Sequence, residues 1–273
     1  FLREFMSSPR HSVRSGHSVG KGATIAWLIL WFVLTRKDAK GVLTAVSQDQ
    51  LKDNNWPELR KWAMRLPGEL REQVQIDEER IYNRASPELA FITRRTASKS
   101  SPEALQGIHA KSVLIIADEA SGIDDIVFEI AAGSLATEGA IACLFSNPTR
   151  SDGFFFDTHH KLRDRWKCWH VDCRDVPRAQ AHIDDVIAAY GQNSNRFRVR
   201  VSGDFPTASD ETVIPLELVL SAKGRDVETT KFVPVWGVDI ARHGDDRCAL
   251  AKRRGNTLLE PVMWWSGVDL TVS

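Results

Sequence analysis

Short apolar runs alternate with longer stretches of helical periodicity along most of the chain. The runs that predict strands cover residues 12–14, 42–46, 89–93, 113–117, 140–145 and 166–171. The stretches that predict helices cover residues 23–34, 51–66 and 183–190. Strands that alternate with helices are typical of an α/β fold, so we expect a central, mostly parallel sheet with helices on both faces.

Two segments of this pattern need separate comment. Residues 113–117 are apolar without interruption, which is typical of a strand buried inside a parallel sheet. Residues 196–201 alternate arginine with apolar residues and therefore predict a strand. Because Gly203 to Pro206 follow, the same segment is also compatible with a helix that ends at this glycine.

The pattern changes toward the end of the chain. Residues 206–231 contain two prolines and a glycine around one short predicted helix, 216–222, and have the composition of a linker. Successive antiparallel strands are predicted at 232–241, 247–253 and 257–265, with turns at 244–245 and 255–256. We therefore expect a first domain over 1–205, a linker over 206–231 and the start of a second domain over 232–273.

Composition sets outer limits on function. The 273 residues include 36 Lys and Arg and 36 Asp and Glu, so the formal net charge is zero and any contact with nucleic acid must come from local patches. The longest apolar run, 23–34, is too short to span a bilayer, which takes about 20 residues. The four cysteines form no CxxC pair, which is typical of reduced thiols in a cytoplasmic protein.

A glycine-rich turn lies between the first predicted strand and the first predicted helix. Its residues are Ser15, Gly16, His17, Ser18, Val19, Gly20, Lys21 and Gly22. A P-loop has the pattern G-x4-G-K-[ST] in this setting: its backbone N–H groups bind phosphates and its lysine reaches the β- and γ-phosphates. We interpret the turn as a P-loop that binds ATP.

Two positions of this turn depart from the P-loop pattern. Ser15 replaces the first glycine, which a small residue can do. Gly22 replaces the Ser or Thr whose hydroxyl normally holds Mg²⁺, and Thr24 is a doubtful substitute because it faces another way along the helix.

The strand 113–117 runs directly into two acidic residues, Asp118 and Glu119. An aspartate at the carboxyl end of such a strand can hold Mg²⁺, and the following glutamate can orient and deprotonate an attacking water. The alternative is a strand followed by an acidic helix cap. The P-loop earlier in the chain favours the catalytic interpretation.

Ser146 and Asn147 follow the next predicted strand and are candidates for contact with the γ-phosphate. An arginine near the nucleotide could assist hydrolysis, and Arg14, Arg94 and Arg95 are the candidates. Asp239 lies on an otherwise apolar strand, where a carboxylate is costly unless it is paired or binds metal. It is therefore either a nuclease metal ligand or an aspartate that caps a turn.

In this order, these stretches resemble the large subunit of the terminase that packages DNA in tailed phages and prophages. The resemblance is carried by residues 15–21, 116–122, 146–149 leading into 153–156, 203–206 and 237–239. It runs over nearly the whole chain, and the ordered set is more specific than any single motif.

The resemblance implies a P-loop ATPase domain of the ASCE type joined to an RNase H-like nuclease domain. It implies ATP-driven translocation of double-stranded DNA into a procapsid and metal-dependent cutting of concatemeric DNA. The implied cofactors are ATP and Mg²⁺, with Mg²⁺ or Mn²⁺ at the nuclease site. The implied partners are double-stranded DNA, the portal protein, the small terminase subunit and further copies of the chain in a ring on the procapsid, in the cytoplasm of an infected or lysogenic bacterium.

Carried over by position, the resemblance makes Lys21 the phosphate ligand, Asp118 the Mg²⁺ ligand and Glu119 the catalytic base. Asp239 becomes the first metal ligand of the nuclease. Both ends of the chain look cut, so we expect a fragment without an adenine-binding segment or the remaining nuclease carboxylates, which should not cut DNA alone.

Two other functions remain open at this stage. A superfamily-2-like helicase or translocase shares the Asp-Glu pair and the polar third motif, but it needs a second RecA-like domain, which residues 230–273 do not begin. The loss of the hydroxyl at Gly22 suggests instead an impaired nucleotide-binding or assembly module.

Overall fold

The computed structural model describes residues 1–96, 105, 107–134, 139–207, 222, 231–240 and 247–265. The chain divides into two compact units, residues 1–213 and 214–273. Most of the expected linker, and six of the seven residues of the helix predicted at 216–222, lie outside the described residues, as does the turn at 244–245.

An eight-stranded sheet forms the centre of the first unit, with strand order β3-β4-β5-β2-β6-β7-β1-β8. Its strands are β1 (Arg10–Ser15), β2 (Ala39–Ala45), β3 (Val74–Ile76), β4 (Arg80–Asn83), β5 (Ala90–Thr96), β6 (Ser112–Asp118), β7 (Ile141–Ser146) and β8 (Lys167–Val171). Neighbouring strands are parallel throughout the part of this order that runs β5-β2-β6-β7-β1-β8. This confirms the α/β fold with a mostly parallel sheet and places the apolar strand β6 inside it, between β2 and β7.

Helices cover both faces of this sheet. They are α1 (Lys21–Thr35), α2 (Trp56–Ala63), α3 (Gly68–Arg71), α4 (Asp125–Ser134), α5 (Gly153–His159), α6 (Gln180–Tyr190) and α7 (Asn195–Phe197). Shorter 3₁₀ or π-helical turns cover Leu2–Ser7, Gln50–Asn55, Ala120–Gly122, Arg163–Arg165, Cys173–Asp175, Pro177–Ala179 and Arg198–Ser202. Within the described residues, no helix is both long and apolar enough to cross a membrane.

The alternation of side chains along β6 builds the two core layers. Leu114 and Ile116 pack on one face with α1 and α2, whereas Val113 and Ile115 pack on the other with α4 and α5. Because successive strand residues point to opposite faces, an uninterrupted apolar strand buries both faces at once. This packing fixes the carboxyl ends of β1, β6 and β7 at one edge of the sheet.

The segment 196–201 is helical, so its prediction as a strand is wrong and the helix alternative is right. The Ser194 hydroxyl accepts a hydrogen bond from the Phe197 backbone N–H (3.0 Å) and caps the helix. Phe197 and Val201, four residues apart, are buried together, and Gly203 ends the helix with a left-handed φ of 67°. The alternation of arginines does not indicate a strand here, because the two buried apolar residues, Phe197 and Val201, are spaced as on one face of a helix.

The antiparallel hairpin of β3 and β4 at the edge of the sheet was not predicted. Its strands have only three and four residues and mixed polarity, so periodicity gives little signal. Helices α4 and α5 were also not predicted.

The second unit contains a small antiparallel sheet. Its strands are β9 (Pro234–Asp239), β10 (Cys248–Arg254), β11 (Thr257–Leu258) and β12 (Met263–Trp265). β10 pairs with each of the other three in antiparallel orientation, and residues 255–256 form the expected turn. The sequence pattern of this region is therefore confirmed as antiparallel strands.

Truncation of one α1 side chain that packs on the sheet should show how much the core contributes to the free energy of unfolding. Phe32 is 0% exposed, and Phe32→Ala is expected to lower the free energy of unfolding by about 3–5 kcal/mol. Met64→Ala, at a side chain that is 67% exposed, is the control and should change it by less than about 0.5 kcal/mol. Urea unfolding followed by circular dichroism measures both, and equal values would contradict the assigned core.

Candidate functional site

Residues 15–22 form the turn that joins β1 to α1, as the motif predicted. Ser18 and Gly20 have left-handed φ values of 58° and 100°. Outside glycine this region costs about 1–2 kcal/mol, and alternation of left- and right-handed residues directs successive N–H groups into one concavity. Because α1 begins at Lys21, the partial positive charge of its N-terminus opens on the same concavity. The loop backbone therefore has the geometry of an anion site.

Lys21 connects this loop to the end of β7. Its Nζ donates to Asn147 Oδ1 (3.0 Å) and to the Gly16 carbonyl (3.5 Å). Asn147 is 1% exposed, and its Nδ2 donates to the Ser15 carbonyl (2.6 Å). Burial lowers the pKa of Lys21, while the charges of Glu119 and Asp118 raise it. The lysine is thus oriented by an amide, with two carboxylates close enough to influence its charge.

Asp118, the last residue of β6, is 8% exposed, and its carboxylate accepts three hydrogen bonds. Its Oδ2 accepts from Asn55 Nδ2 (2.8 Å) and Gln50 Nε2 (3.3 Å), and its Oδ1 accepts from the Glu119 backbone N–H (3.1 Å). Gln50 and Asn55 lie on the π-helical turn before α2. A carboxylate held by three donors keeps one orientation, which suits a ligand that must meet a cation at a fixed place.

Glu119 adopts a left-handed backbone, with a φ of 53°. This conformation is strained for a glutamate and turns the chain away from β6 into the 3₁₀ turn Ala120–Gly122. Burial raises the pKa of Glu119 and the nearby Asp118 charge adds to this, while Lys21 opposes the shift. A carboxylate with a raised pKa is a stronger base than an exposed one, as general-base catalysis requires.

Ser146, the last residue of β7, is hydrogen-bonded to the turn that follows β6. Its Oγ accepts from the Ser121 backbone N–H (3.1 Å) and donates to the Asn147 carbonyl (2.8 Å). A change at Asn147 is therefore transmitted through hydrogen bonds to the turn that carries Glu119.

Residues 171–203 support the loop from behind. A Cβ on Gly16 would lie 2.4 Å from Cys173 Sγ, and one on Gly203 would lie 2.6 Å from the Gly16 backbone nitrogen. The His17 backbone N–H donates to the Arg200 carbonyl (2.8 Å), and Cys173 Sγ donates to the His17 carbonyl (3.0 Å). Position 16 thus has no room for a side chain, which explains its glycine.

His17 and Val19 also face this supporting segment. Val19 packs against the cluster of Cys173, Ala179 and neighbouring apolar side chains. Burial lowers the pKa of His17 to about 4, helped by the charges of Lys21 and His182. The imidazole is therefore neutral at pH 7 and adds no charge to the loop.

A cavity of about 1040 Å³ opens beside the loop. Its lining comprises residues 18–23, Gln50, 53–55, 57–58, Lys61, Trp62, Arg65, Asp118, Glu119 and Arg178. This volume is just above the usual range for small-ligand sites. The loop, Lys21, Asp118 and Glu119 all line the same cavity.

None of the three arginines predicted near the nucleotide is among the residues that line this cavity. Arg14 contacts the Gly203 carbonyl (2.9 Å) and Asp204, and Arg94 lies over the Trp56 ring (5.5 Å). The sequence analysis missed Arg178, whose Nη2 would lie 2.6 Å from a Cβ on Gly20. No hydrogen bond or ion pair between described residues involves Arg178, so its guanidinium is free to meet an anion.

The cavity contains oxygen atoms that suit Mg²⁺. No group of three His, Cys, Asp or Glu side chains in the described part of the chain could hold a metal by itself. Mg²⁺ at nucleotide sites, however, needs only one or two protein ligands beside phosphate and water. Asp118 offers a carboxylate, and the neighbouring Asn55 Oδ1 is buried without a hydrogen-bond donor among described residues. These residues fit a hard cation.

Asp239 lies on β9 of the second unit, and all six residues of this strand are exposed. The prediction that Asp239 lies on a strand is confirmed. Its role as a metal ligand stays a prediction.

Comparison with known sequences identifies a phage relative. The chain is 29% identical to the probable terminase large subunit of Enterobacteria phage P7, in an alignment of 247 residues that covers 84% of this chain and 49% of the relative. The chain thus spans about half the length of that relative. No protein-family model matches the chain.

Solved structures with the same fold are also phage proteins. The ATPase domain of the large terminase from Thermus phage P74-26 superposes with a TM-score of 0.56 at 17% identity, covering 73% of this chain and 89% of that domain. The large terminase from a thermophilic bacteriophage, in complex with ADP, gives 0.59 at 14% identity, covering 95% of this chain and 62% of that one. These comparisons confirm the resemblance drawn from the motifs: the chain is similar in sequence to a probable phage terminase large subunit and has the fold of a large-terminase ATPase domain.

Proposed function

We propose that this chain hydrolyses ATP and is the motor part of a terminase that moves double-stranded viral DNA into a procapsid. The supporting observation is that Lys21, Asp118 and Glu119 line one cavity beside an anion-binding loop. The large terminase of the thermophilic bacteriophage has been solved with ADP and with ATP-γ-S, which supports a nucleotide as the ligand of the same fold here.

Lys21 binds the β- and γ-phosphates in this proposal, together with the backbone N–H groups of residues 18–22. Its contact with Asn147 Oδ1 must then be shared with, or yielded to, a phosphate oxygen. Because Asn147 also holds the Ser15 carbonyl, arrival and loss of the γ-phosphate change the bonding at the end of β7. Ser146 and Asn147 therefore couple hydrolysis to the rest of the sheet.

Glu119 is the general base that takes a proton from the attacking water, which its raised pKa favours. Asp118 holds the cation, oriented by Asn55 and Gln50. Bound Mg²⁺ supplies charge neutralisation between the β- and γ-phosphates.

The proposed partners are double-stranded DNA, a portal protein, a small terminase subunit and further copies of this chain in a ring on the procapsid. Asp239 is proposed as the first ligand of an RNase H-like two-metal site, which needs further carboxylates before it can cut DNA. The antiparallel pairing of β9 with β10 supports this assignment. It also counts against a helicase, because the described strands of the second unit do not begin the parallel sheet of a RecA-like domain.

A nucleotide-binding module without turnover is the second candidate, and Gly22 is the observation that favours it. Gly22 lacks the hydroxyl of the usual P-loop. Thr24 does not replace it, because it is not among the residues that line the cavity; its Oγ1 donates to the Gly20 carbonyl (3.1 Å).

Removal of the two catalytic groups should have different effects. Lys21→Ala is expected to lower turnover by about 100- to 1000-fold, since it removes charge stabilisation of the transition state. Glu119→Gln should bind ATP with little change but fail to hydrolyse it. Phosphate release measures turnover, a fluorescent ADP analogue measures binding, and Lys111→Ala, which removes an exposed lysine before β6, is the control. Normal turnover in either variant would refute the assigned role.

Arg178 should contribute to affinity for the triphosphate. A charge-assisted hydrogen bond contributes about 1.5–3 kcal/mol, so Arg178→Ala is expected to weaken ATP binding by about tenfold or more. Arg71→Ala, at an exposed arginine on α3, is the matched control. Titration with a fluorescent ATP analogue measures both variants, and an unchanged Kd in Arg178→Ala would exclude contact with the nucleotide.

A hydroxyl restored at position 22 separates an impaired motor from an inactive module. A Cβ on Gly22 would lie 3.6 Å from Glu58 Cγ, an ordinary contact, so Gly22→Thr should fold and hydrolyse ATP faster, with tighter dependence on Mg²⁺. Gly22→Ala is the control, because it adds the methyl group and helix propensity without the oxygen. Phosphate release at graded Mg²⁺ concentrations distinguishes them. ATP binding without hydrolysis in the unaltered chain and in Gly22→Thr would favour the inactive module.

A further inference from the structure

The space beside Gly22 is bordered by a carboxylate from another part of the chain. Glu58, on α2, has its Cγ 3.6 Å from the position of a Cβ on Gly22. Both residues line the same cavity as Asp118. The missing P-loop side chain therefore faces an acidic residue, where a P-loop with Ser or Thr would place its own hydroxyl oxygen.

Asn55 precedes Glu58 by three residues and so lies on the same side of the helical segment. It is 5% exposed, and its Nδ2 donates to Asp118 Oδ2 (2.8 Å). This bond fixes which end of the amide is the oxygen, because a carboxylate accepts only from the N–H side. The Oδ1 is left without a hydrogen-bond donor among described residues, although it is buried.

An unpaired buried acceptor costs free energy, because it has lost its hydrogen bonds to water without replacing them. This cost is removed if a cation or a cation-bound water meets Oδ1 when the site is loaded. The atom lies on a side chain that already touches the proposed Mg²⁺ ligand, Asp118. The orphaned oxygen is therefore a second indication, independent of Glu58, of a cation near Asp118.

The present partners of Glu58 leave it available. Its carboxylate accepts from Lys61 Nζ (2.9 Å) and from Trp62 Nε1 (2.7 Å). The ion pair with Lys61 is half exposed and made within one helix, and pairs of this kind are weak. A divalent cation can therefore compete with Lys61 for this carboxylate.

We propose that Glu58 and Asn55 take the place of the P-loop hydroxyl that Gly22 lacks. In the nucleotide complex their side-chain oxygens, directly or through one water, complete the coordination shell of a Mg²⁺ that Asp118 also holds. This inference rests on the proposed function, since it needs a nucleotide in the cavity. Glu58 on α2 and Asn55 on the preceding turn would thus perform a role that a residue of the P-loop itself normally performs.

The test measures binding and not turnover. The Kd of a fluorescent ADP analogue is determined over a range of Mg²⁺ concentrations with the full chain, which gives the Mg²⁺ concentration for half-maximal effect. Glu58→Gln should raise this concentration by about tenfold, the size expected for loss of a supporting ligand. Glu69→Gln, the same charge change at an exposed residue of α3, should not alter this concentration.

A compensating variant separates a ligand from a structural residue. In Gly22→Ser/Glu58→Gln the serine oxygen should restore the Mg²⁺ requirement of the unaltered chain. Asn55→Ala should also weaken the Mg²⁺ effect, but Gly22→Ser should rescue it only in part, because the bond to Asp118 is lost as well. Circular dichroism confirms that each variant is folded.

Three results would overturn the inference, and each identifies which step failed. If ADP binds and its Mg²⁺ dependence is the same in Glu58→Gln and the unaltered chain, Glu58 is no ligand and the proposed function survives. If the unaltered chain binds no ADP, the proposed function fails and this inference fails with it. A defect in Glu58→Gln that Gly22→Ser does not rescue would show a structural role only.

Discussion

The first unit is organised around a buried ammonium group. Lys21 begins α1 below the sheet edge, where burial disfavours its charge, and the lysine is tolerable there only because polar groups converge on it. Asn147 comes from β7, Asp118 and Glu119 from the end of β6, and the loop carbonyl from β1. The parallel order β6-β7-β1 brings these three strand ends together. A different strand order would leave the lysine without its partners.

Much of this arrangement could be predicted because it is local in sequence. The P-loop and the Asp-Glu pair each occupy a few consecutive residues whose spacing is set by one turn or one strand end. The uninterrupted apolar strand 113–117 could only be central, and it is. The one wrong element, 196–201, has the same polar alternation as a strand, and only the tertiary contacts of Phe197 and Val201 show that it is helical.

The rest of the candidate site could not be predicted because it depends on contacts between distant segments. Arg178 follows the eighth strand, and nothing in its own neighbourhood marks it; its position over Gly20 exists only once β8 pairs with β1. Glu58 and Asn55 look like ordinary polar residues of an amphipathic helix. In each case the missing information was which surface a side chain faces.

The close contact of Cys173 with the loop has a chemical consequence. Its thiol is 0% exposed, hydrogen-bonded to the His17 carbonyl, and its pKa is raised by burial. Because thiolates and not thiols react with oxidants and alkylating agents, this sulfur is inert while the packing holds. Any event that separates residues 171–203 from the loop exposes it. The rate at which a thiol reagent modifies Cys173, measured separately from that of the partly exposed Cys168, therefore reports how often the back of the nucleotide loop opens.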